Sequence, residues 1–339
     1  MWSTAAFLRR FRHAILERIL STNRVMAPKE VISVSPSRRC IEGGGFVVRR
    51  PDLDPRDMSP FLMLDHFGPT CYGPGEAVGA PDHPHRGFET ISYILQGCVE
   101  HKDSNSGTEG RIGPGDVQWM TAGRGVIHSE MPSPEMLENG GTMEGFQIWV
   151  NLPAAVKMCE PRYQDISSAC IPETPLQQGA GHVRIIAGTH RNRHAVIETH
   201  TAVHFYDVVL ESNDAIDVIS IPEGQRAFVY CYSQGLMVNG KEVLEGRFAC
   251  LSSTADQVII SALSSTSSGA ALVLGGVPFH EPLAWHGPFV MNTQAEIREA
   301  MRDYQRGDFG KIEGAEQRYE QTRQANVRRE GSDSSDSLR

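Results

Sequence analysis

The sequence predicts an all-β protein of two successive antiparallel barrels, followed by one short helix near the C terminus. Three observations carry this. Short apolar runs, such as Phe46-Val47-Val48 and Phe61-Leu62-Met63-Leu64, alternate with Gly- and Pro-rich stretches, as strands alternate with tight turns. Residues 195–275 repeat that rhythm, and Gly246-Arg247-Phe248-Ala249 faintly echoes the turn and strand that begin at Gly113. Thr293 with Glu296 forms a capping box, and Ile297, Ala300, Met301 and Tyr304 follow at helical spacing until Gly307 stops the helix.

The bulk properties agree. A chain of 339 residues is long enough for two domains. Hydrophobic residues make up 40% and charged residues 22%, a globular balance. Forty-one acids against 32 bases give a net charge of −9, which argues against direct nucleic-acid binding through a basic face. No apolar run approaches the ~18 residues of a membrane span. The seven cysteines are odd in number and include no Cys-x-x-Cys, so a reducing, intracellular setting is expected.

In chain order, residues 1–30 read as an extension. Arg9, Arg10, Arg12, Arg18 and Arg24 face one acid, Glu17, and Phe7, Phe11, Ile15 and Ile19 recur every four residues. Such a start resembles a mitochondrial targeting segment; the alternatives are a solvated N-terminal helix or sequence upstream of a second start at Met26. Residues 31–155 form the first barrel. Within it, 68–84 reads as a loop, and a long strand follows through Ile91, Tyr93 and Leu95. Continued backward, its alternation puts Glu89, His85 and His83 on the face of Ile91 and Tyr93, provided Gly87 does not shift the register. Gly113-Pro114-Gly115-Asp116 is a tight turn into Val117-Gln118-Trp119-Met120, and Gly123 and Gly125 mark the next bend. Residues 156–194 read as a linker, 195–290 as the second barrel and 291–311 as the helix. Apolar residues are sparse over 312–339, which is expected to be a disordered tail.

Chemistry concentrates between Asp82 and Pro132. His83-Pro84-His85 and His128-Ser129-Glu130 each present two ligand-capable side chains one residue apart. Successive side chains of a strand alternate faces, so each pair shares one face. If the two strands face each other inside a barrel, three imidazoles and one carboxylate meet, a nitrogen and oxygen metal site without thiolate. The second half has Val258-Ile259-Ile260 where its repeat would carry the second pair, so one metal per chain is expected.

The segments from His83 to Thr90, from Pro114 to Gly123 and around His128-Ser129-Glu130 closely resemble the pirin family of the cupin superfamily. Phe146 to Pro153 and Gly287 to Thr293 are also similar to pirin segments, and the resemblance runs from about residue 31 to 310. It implies two stacked cupin-type β-barrels (a bicupin), with metal held in the first by His83, His85, His128 and Glu130. Glu89 is the rival carboxylate, since the general cupin pattern takes its glutamate shortly after His-x-His.

Such a ligand set suits Fe(II) and also accepts Mn, Ni, Cu or Zn. The resemblance implies two functions. One is a quercetin 2,3-dioxygenase that opens a flavonol with O2, with Glu130 as the catalytic base. Phe88, Trp119 and Met120 are candidate pocket walls, although such side chains are more often plain core. The other is a redox-sensitive coregulator that binds transcription factors or other proteins in nucleus or cytoplasm.

Overall fold

The computed structural model describes residues 27–336, apart from 106, 108 and 264–267. The targeting-like reading of residues 1–26 therefore falls outside the described residues.

The chain is mostly β, in two barrels that share one 13-stranded sheet. The first barrel uses β1 (Val31–Glu42), β2 (Phe46–Pro51), β3 (Phe61–Tyr72), β4 (Ala80–His85), β5 (Phe88–Gln96), β6 (Val99–Asp103), β7 (Glu109–Ile112), β8 (Val117–Thr121), β9 (Val126–Pro132) and β10 (Gly141–Asn151). The expected loop over 68–84 is shorter than read, because β3 runs on to Tyr72 and β4 begins at Ala80. A separate four-stranded sheet, in the order β4-β9-β6-β7, faces the large sheet and closes this barrel.

Two boundaries differ from the sequence reading. β1 belongs to both barrels: Val31 to Pro36 pair with Arg247–Leu251 of the second, and Ser37 to Glu42 pair with β2. Residues 156–194 are not a plain linker. They contain β11 (Arg162–Ile166), which pairs with β8, then β12 (Glu173–Pro175) and β13 (Gly181–Ala187), which joins Val203–Leu210 of the second barrel. β11 escaped notice because its side chains are half-buried on both faces, leaving no alternation to read.

The barrels stack through one apolar layer. Ile91, Tyr93, Trp119, Phe146 and Ile148 of the first pack against Phe205, Phe228, Tyr230 and Phe248 of the second. A polar pin crosses this layer. Tyr93 Oη and Tyr232 Oη donate to the two oxygens of Asp207, at 2.6 and 2.8 Å, and Arg184 Nη1 donates to Tyr93 Oη at 2.8 Å. Every member has a partner, as a buried polar group requires.

The second barrel repeats the small sheet of the first. Its order is Ile216–Ser220, Gln257–Ala262, Gly235–Val238, Lys241–Leu244, the counterpart of β4-β9-β6-β7. Where β4 and β9 set His83 opposite His128, this sheet sets Ile219 opposite Val258 and Asp217 opposite Ile260. Val258 and Ile260 are fully buried in an apolar cluster. Elemental analysis of the loaded chain is therefore expected to return one tightly held transition metal per chain; two would overturn the equivalence.

Four helices complete the described chain: α1 (Pro55–Met58), α2 (Pro134–Asn139), α3 (Gln294–Arg306) and α4 (Ala315–Asp336). α3 has the expected capping box at Thr293 and Glu296, and Gly307 ends it in the left-handed conformation at φ +83°. Arg86, next to His85, donates to Asp303 of α3 at 2.8 Å and lies over the Phe309 ring, which fastens this helix to the end of β4.

α4 corrects the expected disordered tail. Its inner face carries Arg318, Thr322 and Ala325, all buried. These are spaced for one helical face, but two of the three are polar, so no hydrophobic stripe marks the helix in the sequence.

Candidate metal centre

β4 and β9 are antiparallel neighbours, with His83 directly opposite His128. His85 lies two residues on, on the same face. The ligand-capable nitrogens of His83, His85 and His128 all lie within 4.8 Å of one another. Ring centroids are 4.3 Å apart for His83 and His128, 4.8 Å for His83 and His85, and 4.9 Å for His85 and His128.

The buried nitrogens test whether a metal fits. Both ring nitrogens of His128 and Nδ1 of His85 are buried without a hydrogen-bond partner. Orphaned buried polar atoms are costly and rare in native proteins, and a metal would satisfy one nitrogen of each ring. Burial, reinforced by the neighbouring imidazoles, holds His85 and His128 well below the usual histidine pKa, so both rings are neutral at pH 7 with lone pairs free to bind. His83 Nδ1 lies 2.8 Å from the Pro81 carbonyl, which fixes that ring and leaves Nε2 as its ligand atom. The histidine triad can bind a metal.

Glu130 lines the same cavity but is not part of the three-histidine cluster. Its Oε1 accepts from Ser92 Oγ at 2.5 Å, and Ser92 Oγ lies 2.9 Å from Gln147 Oε1. Glu89 lies elsewhere. It is fully buried, and its Oε1 accepts from Thr121 Oγ1 at 2.7 Å. The reason is Gly87. Its φ is +89°, and a Cβ there would come 2.0 Å from the Val290 carbonyl oxygen. The chain turns at this residue from the small sheet into the large one, and the register shifts. Ser92 and Ile94 therefore share the cavity with His83 and His85, while Ile91 and Tyr93 pack between the barrels.

The cavity encloses about 910 Å³. Its apolar walls include Phe46, Met63, Phe67, Trp149 and Trp285. Phe88, Trp119 and Met120 do not line it; all three are fully buried in packing clusters, the commoner reading of such side chains. Phe88 serves indirectly, with its ring 4.3 Å from Trp149 and 5.1 Å from His85. Alternation along β10 could have revealed the true wall, since Gln147 and Trp149 lie opposite in face to the core residues Phe146 and Ile148. Trp285 has no such signal.

Comparison with known proteins decides the family. The pirin family model matches residues 48–150, and the model for the pirin C-terminal cupin domain matches residues 205–310. The chain belongs to the pirin family. A Pseudomonas aeruginosa pirin relative, provisionally named a quercetin 2,3-dioxygenase, is 40% identical over 271 residues, covering 79% of this chain and 93% of that one. Pirin of Homo sapiens is 36% identical over 281 residues, covering 81% and 91%. The crystal structure of a quercetin 2,3-dioxygenase from Acinetobacter baumannii superposes with a TM-score of 0.79 at 38% identity, covering 84% of this chain and all of that one.

In this pirin-family chain Glu89 has a consequence for stability. Burial pushes its carboxyl up to about 7 from 4.5, against the hydrogen bond from Thr121. Between those values the folded chain keeps a proton that the unfolded chain has lost, so stability falls as pH rises from 4.5 towards 7. Glu89→Gln removes that cost. The metal-free variant is expected to gain on the order of 3 kcal/mol over its parent above pH 7 and little at pH 5. Thermal midpoints at pH 5 and pH 8 check this, and a gap that does not widen with pH would refute it.

Proposed function

We propose that this pirin-family protein is a metal-dependent flavonol 2,3-dioxygenase that opens a quercetin-like substrate with O2 and loss of carbon monoxide. Fe(II) is the proposed metal, held by His83, His85 and His128 with Glu130 as the fourth ligand. The observation that carries the reading is the histidine triad at the wall of a large, aromatic-lined cavity. The names of the Pseudomonas and Acinetobacter relatives support it.

When bound, the metal supplies a Lewis acid for an anionic substrate oxygen and redox chemistry toward O2. The chain's own residues do the rest. Trp149 and Trp285, with ring centroids 5.6 Å apart, offer flat apolar surfaces to a planar aromatic ligand. The cavity is of a size to enclose such a ligand, and its apolar walls keep water from it. Glu130 takes the substrate hydroxyl proton on its carboxylate, and the Ser92 hydroxyl orients that carboxylate towards the cavity.

The test is oxygen uptake with quercetin after anaerobic loading with Fe(II), Mn, Ni, Cu or Zn in parallel, with carbon monoxide as the second readout. Uptake with at least one metal, strongest with Fe(II), is expected. No uptake with any of the five would end the dioxygenase reading.

A further inference from the structure

The cavity has a wall that the matched family segments do not supply. The C-terminal family match ends at residue 310, and α4 begins at Ala315. Tyr319, Thr322, Arg323 and Asn326 of α4 nevertheless line the cavity that holds His83 and His85.

The seat of this helix is specific. Arg318 grips Asp82, the residue before His83, through two hydrogen bonds of 2.5 and 2.8 Å, and both side chains are nearly buried. Paired guanidinium-carboxylate bonds fix orientation as well as distance. Tyr319 Oη donates to the Asp82 carbonyl at 2.5 Å, and Asn326 Nδ2 donates to the Gly44 carbonyl at 2.6 Å. The Gly43-Gly44-Gly45 turn between β1 and β2 makes room. A Cβ on Gly44 would come 2.6 Å from the Thr322 methyl group, and one on Gly45 would come 2.3 Å from Asn326 Oδ1. Gly45 also sits at φ +116°, where other residues are strained.

We propose that α4 is the selecting wall of the metal cavity. Arg318 anchors the helix, and Tyr319 limits the size of molecule that reaches the histidine triad. The class admitted is a compact planar aromatic. This deepens the dioxygenase reading by naming what sets its substrate size, but it rests only on a metal at the triad.

Metal removal tests it without turnover. The full chain, loaded anaerobically with Fe(II), is challenged with 1,10-phenanthroline, which is compact, and with its bulky disulfonated diphenyl derivative. Release is followed by the colour of the chelate. The parent is expected to yield its iron at least tenfold faster to the compact chelator, after allowance for each chelator's rate with free Fe(II). Arg318→Ala and Tyr319→Ala should each close most of that gap, while Tyr319→Phe, which keeps the ring, should retain it.

Equal acceleration by both chelators, with the gap preserved, would mean that the helix only steadies β4, and the proposal fails. A parent that shows no size preference also overturns it. If Arg318→Ala does not fold, because Asp82 is left buried without its partner, the comparison of Tyr319→Ala with Tyr319→Phe decides. A closed gap without any quercetin turnover would uphold the wall and sink the dioxygenase instead.

Discussion

Replacing His128 by alanine is expected to abolish tight metal binding while both barrels stay folded. His128 is fully buried between His83 and His85, and neither of its nitrogens has a protein partner. Loss of a residue that merely supports a ligand costs about 10- to 100-fold in metal affinity, so loss of a ligand should exceed the upper figure. The metal-free fold should tolerate the change. A buried imidazole with unsatisfied nitrogens carries a desolvation penalty of about 1–3 kcal/mol, which offsets part of the packing lost with the ring. The stacked layer through Trp119, Phe146, Phe205 and Phe248 is untouched. Metal content and thermal midpoints, with and without Fe(II), provide the check. The parent should gain about 4 kcal/mol at a thousandfold excess of metal over its dissociation constant, and the variant almost nothing. An unfolded metal-free variant would make the site structural; parental metal content would remove His128 from the ligand set.

Glu130→Gln is expected to lower flavonol cleavage by roughly 10²-fold or more, the usual scale for loss of a general base, while much of the metal is retained. Glutamine keeps the shape and an oxygen but loses the charge and the proton acceptor. The geometry suits a base. Glu130 lines the cavity, outside the cluster of three imidazoles, with its carboxylate held by Ser92. A carboxylate bound to a metal is a poor base, so the two roles proposed for Glu130 compete, and metal content separates them. Retained metal with lost turnover assigns the base. Loss of both assigns the ligand role. Glu89→Gln should change turnover little, since its carboxyl is sealed away beside Thr121. Near-normal turnover in Glu130→Gln with a dead Glu89→Gln would reverse the assignment.

The sequence by itself determined the all-β character, the capped helix after residue 293 and the histidine triad. These are properties of local spacing. Side chains at i and i+2 share a strand face wherever the strand lies, so the pairing of His83 with His85, and of His128 with Glu130, could be seen before any fold was known. The apolar content of Val258 and Ile260 was equally legible, because it needs only the repeat.

Tertiary structure alone decided the rest. Gly87 turns the chain between two sheets, so parity counted back from Tyr93 placed Glu89 correctly beside Ile91 but assigned His83 and His85 to the wrong face; a backbone angle of +89° leaves no trace in the alternation. β1 serves both barrels because its first half pairs far along the chain, Val31 opposite Leu251, while its second half forms a local hairpin, Glu42 opposite Phe46. α4 is held by Arg318 on Asp82 and by glycine turns that admit it, rather than by an apolar stripe. A polar residue becomes a core residue only when its partner is brought to it, and that partner lies 236 residues away in sequence.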